Sequence, residues 1–187
     1  MSTPHPKWTA RLARLGRYLP PRSRVTGGLA QGLMSTAAAL LAYLPTKPLG
    51  LQEGFWGSIT AIAVVQAALN ATQSSARDQF AGAAIGGLIS AVIVTVAGPS
   101  LPAYAVAITS SMLACWLFDV ASAARLAGAT ATIILLVPHK GSVAPMVLWR
   151  IAEVGWGVTV GIGVVWIVNR IETAVHDERR SPGPPPP

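Results

Sequence analysis

Arg150 and Glu153 stand three residues apart inside an otherwise apolar run, a spacing that puts two helical side chains on one face. A guanidinium there can hold a carboxylate through paired N–H donors, while the glutamate accepts a proton. Arg77 offers the same capture of an anion. With Asp78 it borders a second apolar run, where helix-end amides also favour negative charge. Gln66 and Asn70, four apart, place two amides on one helical face, with Thr60 two turns back near it. Arg125 lies about five residues inside a further apolar run. Each group also has a plainer role: a structural ion pair, a charge anchored at the interface, amides bonded between helices, and an arginine that snorkels to the headgroups.

Other chemistry is missing from the sequence. It has no P-loop, no second thiol beside Cys115, no zinc spacing among His5, His139 and His176, and no Ser/His/Asp grouping. No catalytic residue, metal ligand or cofactor is expected, and Cys115 reads as a small packing residue. The chain is not expected to be an enzyme.

The elements that must position these groups are membrane helices. From Gln79 to Phe118 forty residues pass without a charged side chain. As one helix they would reach about 60 Å, twice the roughly 30 Å of a bilayer's hydrocarbon. Pro99 and Pro102 sit near the middle, where a chain crossing twice must turn. The 187 residues are 52% hydrophobic and 11% charged, with a mean hydropathy of +0.51, values of the membrane class.

Apolar runs predict six spans: Val25 to Leu44, Phe55 to Thr72, Phe80 to Ala97, Leu101 to Phe118, Val120 to Val137, and Pro145 to Asn169. The net charge of +7 follows their flanks and not a nucleic-acid footprint. Six basic residues (Lys7, Arg11, Arg14, Arg17, Arg22, Arg24) precede the first run, and Arg170, Arg179 and Arg180 follow the last. With Arg77 they place ten positive charges on one side, against Lys47 and Lys140 on the other. The positive-inside rule then puts both termini in the cytoplasm. Residues 1–24 read as a basic interfacial segment, with Trp8, Leu12, Leu15 and Leu19 at helical spacing. Residues 25–170 form the membrane domain. Residues 171–187 read as a cytoplasmic, proline-rich, disordered tail.

Arg77 is followed by Gly82, Gly86 and Gly87, and Arg150 by Gly155, Gly157 and Gly161, with 73 positions between the two arginines. Each arginine falls in the third span of a three-span group, and three being odd, the second group is inserted upside down. The fold expected is therefore all-α, a polytopic membrane protein of six transmembrane helices arranged as a 3+3 inverted repeat. Gly28-x3-Gly32, Gly82-x3-Gly86 and Gly157-x3-Gly161 also suit close helix packing on their own.

The runs Gly54-Phe55-Trp56-Gly57-Ser58-Ile59-Thr60 through Gln66, and Arg77-Asp78-Gln79-Phe80-Ala81-Gly82 through Gly87, resemble the fusaric acid resistance protein-like family, which includes bacterial aromatic acid exporters. Trp149-Arg150 and the glycines after it resemble that family's sixth-span entrance, and the likeness covers Val25 to Arg170. Ala83 stands where the family pattern has a threonine. The resemblance implies a six-helix block in the bacterial inner membrane that exports aromatic or other organic acids, driven by the proton gradient. Distant plant relatives conduct malate as dimeric channels. Many members add a cytosolic domain and a second membrane block, so a lone block is expected to work as a homo-oligomer or with another chain. The reading is a transporter of small organic anions with Arg77, Arg150 and Arg125 along the path. Gln66 and Asn70 would orient the solute, and Glu153 would carry the proton. The rivals are a passive anion channel and a structural or assembly subunit. The lipid bilayer is the solvent in all three.

Overall fold

The computed structural model describes residues 22–49, 54–137 and 143–180. Among them all regular structure is helical. The order is α1 (Arg22–Tyr43), a 3-10 turn (Leu44–Thr46), α2 (Phe55–Val64), α3 (Leu69–Ala97), α4 (Leu101–Leu117), a 3-10 turn (Ala121–Ala123), α5 (Ala124–Leu136) and α6 (Val143–Arg180). The expected amphipathic segment before Arg22 and the residues from Ser181 onward lie outside the described residues, as do His139 and Lys140.

Size is sorted inside out. Ala38, Ala42, Ala61, Ala107, Ala123, Ala127 and Ala131 are fully buried, while Val96 is 82% and Leu101 77% exposed. Water would drive the large apolar residues inward. In lipid there is no such drive, and close approach between small residues holds the helices together. This is a membrane protein. Of the six predicted spans, three fall on helices long and apolar enough to cross: Ser23–Thr46, Leu69–Ala97 and Val143–Asp177. The other three fall on shorter apolar helices, Phe55–Val64, Leu101–Leu117 and Ala121–Leu136.

α3 and α6 form the central pair. They run antiparallel, with Phe80 against Gly155 and, further along, Gly87 against Val147. α5 packs beside α3 and α2 beside α6, while α4 covers α5 and α1 covers α2 and α6. The two outer pairs therefore sit at different levels. α1 and α2 flank the part of α6 beyond Gly155, and α4 and α5 flank the part of α3 beyond Phe80.

Helix ends follow local chemistry. Between α3 and α4 the predicted turn is present: Gly98 has φ +70°, Ser100 Oγ accepts from the Ala103 N–H at 3.3 Å, and Pro102 lies in the first turn of α4. α5 stops with Val137 extended, as a residue before a proline must be. Between α4 and α5, Asp119 takes φ +58°, a left-handed conformation that aspartate tolerates better than most residues.

Two expectations need correction. The second span was expected to be helical from Phe55 to Thr72, but α2 ends at Val64 and Val65 is extended. No glycine or proline marks the break. It is held by side chains that replace helical bonds: Gln66 N–H donates to Thr72 Oγ1 at 3.0 Å, and Ser75 Oγ donates to the Ala63 carbonyl at 3.1 Å. Buried Thr72 is thus a staple across the unwound stretch. The tail also begins later than residue 171, because α6 continues without interruption to Arg180.

Candidate functional site

The charged residues of the two halves lie at similar heights near the α3–α6 contact. Asp78 and Arg77 lie two and three residues before Phe80, and Glu153 and Arg150 two and five before Gly155. At 1.5 Å per residue, all four fall within about 8 Å of the contact along the helix axes. Arg77 and Arg150, expected on opposite faces of the membrane, are separated by only about 12 Å of axial rise. The reason is the antiparallel register of α3 and α6, which hydropathy alone does not set.

Among the described residues Arg150 is the most enclosed arginine. Its side chain is 13% exposed and Glu153's 17%, and their closest N···O approach is 3.8 Å, the predicted i,i+3 pair. The guanidinium lies 4.5 Å from the centroid of the Trp56 ring on α2. Carboxylate and ring face together lower the cost of holding this charge away from water. Nearby, Trp156 Nε1 donates to the Ala42 carbonyl at 3.0 Å, tying α6 to the end of α1. Lys47 Nζ sits 5.1 Å from the Tyr43 ring just beyond that end.

On the other flank Ser122 Oγ donates to Asp78 Oδ1 at 2.7 Å, linking α3 to the turn before α5. Arg77 and Arg125 are exposed. Arg125 adjoins Leu126, which touches α3 at Gly82, so it lies at the same level. Arg77, Arg125, Arg150 and Glu153 thus form one girdle around the centre. Gln66 and Asn70 do not join it. Gln66 is half-buried in the break after α2, and Asn70 is exposed in the first turn of α3, ten residues and about 15 Å before Phe80. They share no helical face, because no helix connects them.

The glycines explain how the helices come so close. A Cβ at Gly82 or Gly86 would run into the backbone of Ala127 on α5, and one at Gly157 into Gly57 and Thr60 on α2. The same pattern, an acid, three residues, glycine, three residues, glycine, occurs as Asp78-Gly82-Gly86 and Glu153-Gly157-Gly161, offset by 75 positions. That register replaces the expected pairing of Gly82 with Gly155, whose neighbour Phe80 is at an ordinary 3.7 Å. Gly28 and Gly32 have nothing within 4 Å, so the third predicted packing face is unused within the described chain. Trp56 and Ser122, each just before the first small residue of its partner helix, are site residues that sequence reasoning passed over.

An apolar groove of about 410 Å³ between α3 and α4, lined by Leu88, Val92, Ile93 and Val106, carries no charged residue and lies away from the girdle. Among the described residues, no three His, Cys, Asp or Glu side chains gather as a metal ion requires.

The family model described as fusaric acid resistance protein-like matches residues 36–164, well over half the chain. The protein belongs to this family. Membership makes it a membrane transport or resistance-related protein. The matched segment contains α2 to α5 entire and includes Gln66, Asn70, Arg77, Arg125, Arg150 and Glu153. No curated protein and no solved structure gives a match.

Proposed function

We propose that this family member moves small organic anions across the bacterial inner membrane through the girdle at the α3–α6 contact, with both termini in the cytoplasm. The observation that carries the reading is the enclosed Arg150–Glu153 pair, with Arg77 and Arg125 at a similar height along the bundle. Charges are costly at membrane depth and mark solute or ion paths there. Three arginines offset the desolvation of a carboxylate, and Glu153, already beside Arg150, carries the coupled proton. Aromatic carboxylates fit because the Trp56 ring lies against the same arginine. The resistance in the family's description favours export. Gln66 and Asn70 serve the mouth of the path, on the far side of α2.

The inverted 3+3 arrangement of the six helices belongs to the same proposal, with the α1–α2 and α4–α5 hairpins entering from opposite faces. It is supported by the repeated acid-glycine-glycine pattern and by the exchange of packing partners, α3 with α5 and α6 with α2. A homo-oligomer would complete the assembly.

The test uses purified protein in liposomes loaded with benzoate. An imposed pH gradient is expected to drive benzoate flux together with protons. Arg150→Gln is expected to cut that flux about tenfold or more, the worth of one charge-assisted contact. Glu153→Gln is expected to uncouple it from the pH gradient. Current that follows voltage without proton movement would assign a passive anion channel instead, flux unchanged by Arg150→Gln would reject the arginine path, and no flux above that of protein-free liposomes would leave the chain a structural subunit.

A further inference from the structure

The hairpin formed by α4 and α5 approaches the girdle from the face that carries the α3–α4 turn at Gly98–Ser100. Its tip, Phe118–Val120, ends beside the α3–α6 contact, since Ala123 and Ala127 meet Gly82 of α3. Three features set this hairpin apart. Its tip turns through the left-handed Asp119. A polar bond joins the turn after its tip to α3, the 2.7 Å contact from Ser122 to Asp78. The surface under it on α3, the stripe Gly82, Gly86, Ser90 and Val94, contains a hydroxyl, that of Ser90, which is fully buried and has no hydrogen-bond partner.

A buried hydroxyl without a partner destabilises the closed arrangement and gains one as soon as water enters. The α1–α2 hairpin, inserted from the opposite face, has two polar ties to α6, the Arg150–Trp56 contact and the Trp156 bond to Ala42.

We infer that the α4–α5 hairpin is the movable gate of the transport path and that the Asp78–Ser122 bond is its latch. Release of the bond lifts the hairpin from α3 and opens the girdle to the face bearing Gly98–Ser100, while the α1–α2 hairpin stays seated. The inference rests on the transport reading for its purpose, but the motion itself is testable without transport.

The reporter is Ser90→Cys in a Cys115→Ala background, labelled in liposomes with a membrane-impermeant thiol reagent applied to one face at a time. Adding Asp78→Ala is expected to speed labelling about tenfold from the Gly98–Ser100 face and not from the other, the effect of losing one charge-assisted hydrogen bond on a two-state equilibrium. Ser122→Ala removes the same bond from the hairpin side and is expected to match it, which guards against misfolding of either variant. Equal labelling with and without the bond, or faster labelling from both faces, would overturn the latch. A disulfide between Asp78→Cys and Ser122→Cys in the same background is expected to stop benzoate flux, and reduction to restore it. Full flux in the oxidised protein rejects the gate while leaving transport intact. One-sided labelling in a protein that carries no anion keeps the gate and rejects the transport reading.

Discussion

The Arg150 guanidinium lies over the Trp56 ring, 94 residues away in sequence, at 4.5 Å from its centroid, with Glu153 3.8 Å from the same cation. One aromatic ring thereby fixes the arginine's height and joins the two halves of the chain.

The ring should contribute to stability as well as position. A desolvated cation–π contact is worth about 2 kcal/mol. Trp56→Phe, which keeps a ring, is expected to cost less than half of what Trp56→Leu costs in detergent unfolding. Equal losses for the two variants would show that volume and not the ring face matters.

Gly157 and Gly163 lie six residues apart on α6 and should respond in opposite senses. A Cβ at Gly157 meets Thr60 at 2.8 Å and Ala61 at 3.1 Å, whereas one at Gly163 meets nothing within 4 Å. Gly157→Ala is expected to destabilise by about 1–3 kcal/mol through overpacking. Gly163→Ala is expected to stabilise by roughly 0.5–1 kcal/mol through backbone entropy. Thermal unfolding of the two variants side by side decides it, and a loss at Gly163 would mean that its flank is covered.

Thr72 holds the break after α2. Thr72→Val keeps the volume but leaves the Gln66 N–H without its 3.0 Å acceptor, an expected cost of about 1–3 kcal/mol. Thr72→Ser keeps the hydroxyl and should cost less than 1 kcal/mol by the same reasoning. Hydrogen exchange at Gln66 is the sharper measurement: it should accelerate in the valine variant and not in the serine variant.

Trp156 ties α6 to α1 through its indole N–H. Trp156→Phe removes that donor and is expected to cost about 1 kcal/mol. The loss should appear as earlier protease cleavage near Tyr43, where α1 ends. Unchanged cleavage would count against this tie.

Much of this was legible in the residues. Glycine and two prolines announce the turn between α3 and α4, and the i,i+3 spacing of Arg150 and Glu153 announces their pair. The start of α3 was not legible, because Asn70 to Gln79 are polar and hydropathy marks where lipid contact ends, not where a helix does. The break at Val65 was hidden for another reason. It is made by two hydroxyls, Thr72 and Ser75, that look like ordinary helix residues. Trp56 and Ser122 could be recognised only once the register between helices was known, since nothing local distinguishes the residue that will lie under an arginine.

The length of α6 has a mechanical consequence. Its 38 residues span about 57 Å, roughly 27 Å more than the oily layer needs. Beyond Asn169 the helix is a stiff mast, carrying Glu172, His176 and Asp177 into water. A small tilt of α6 at the girdle becomes a wide sweep at Arg180, so any module or dye fastened there would act as a pointer on the protein's internal state.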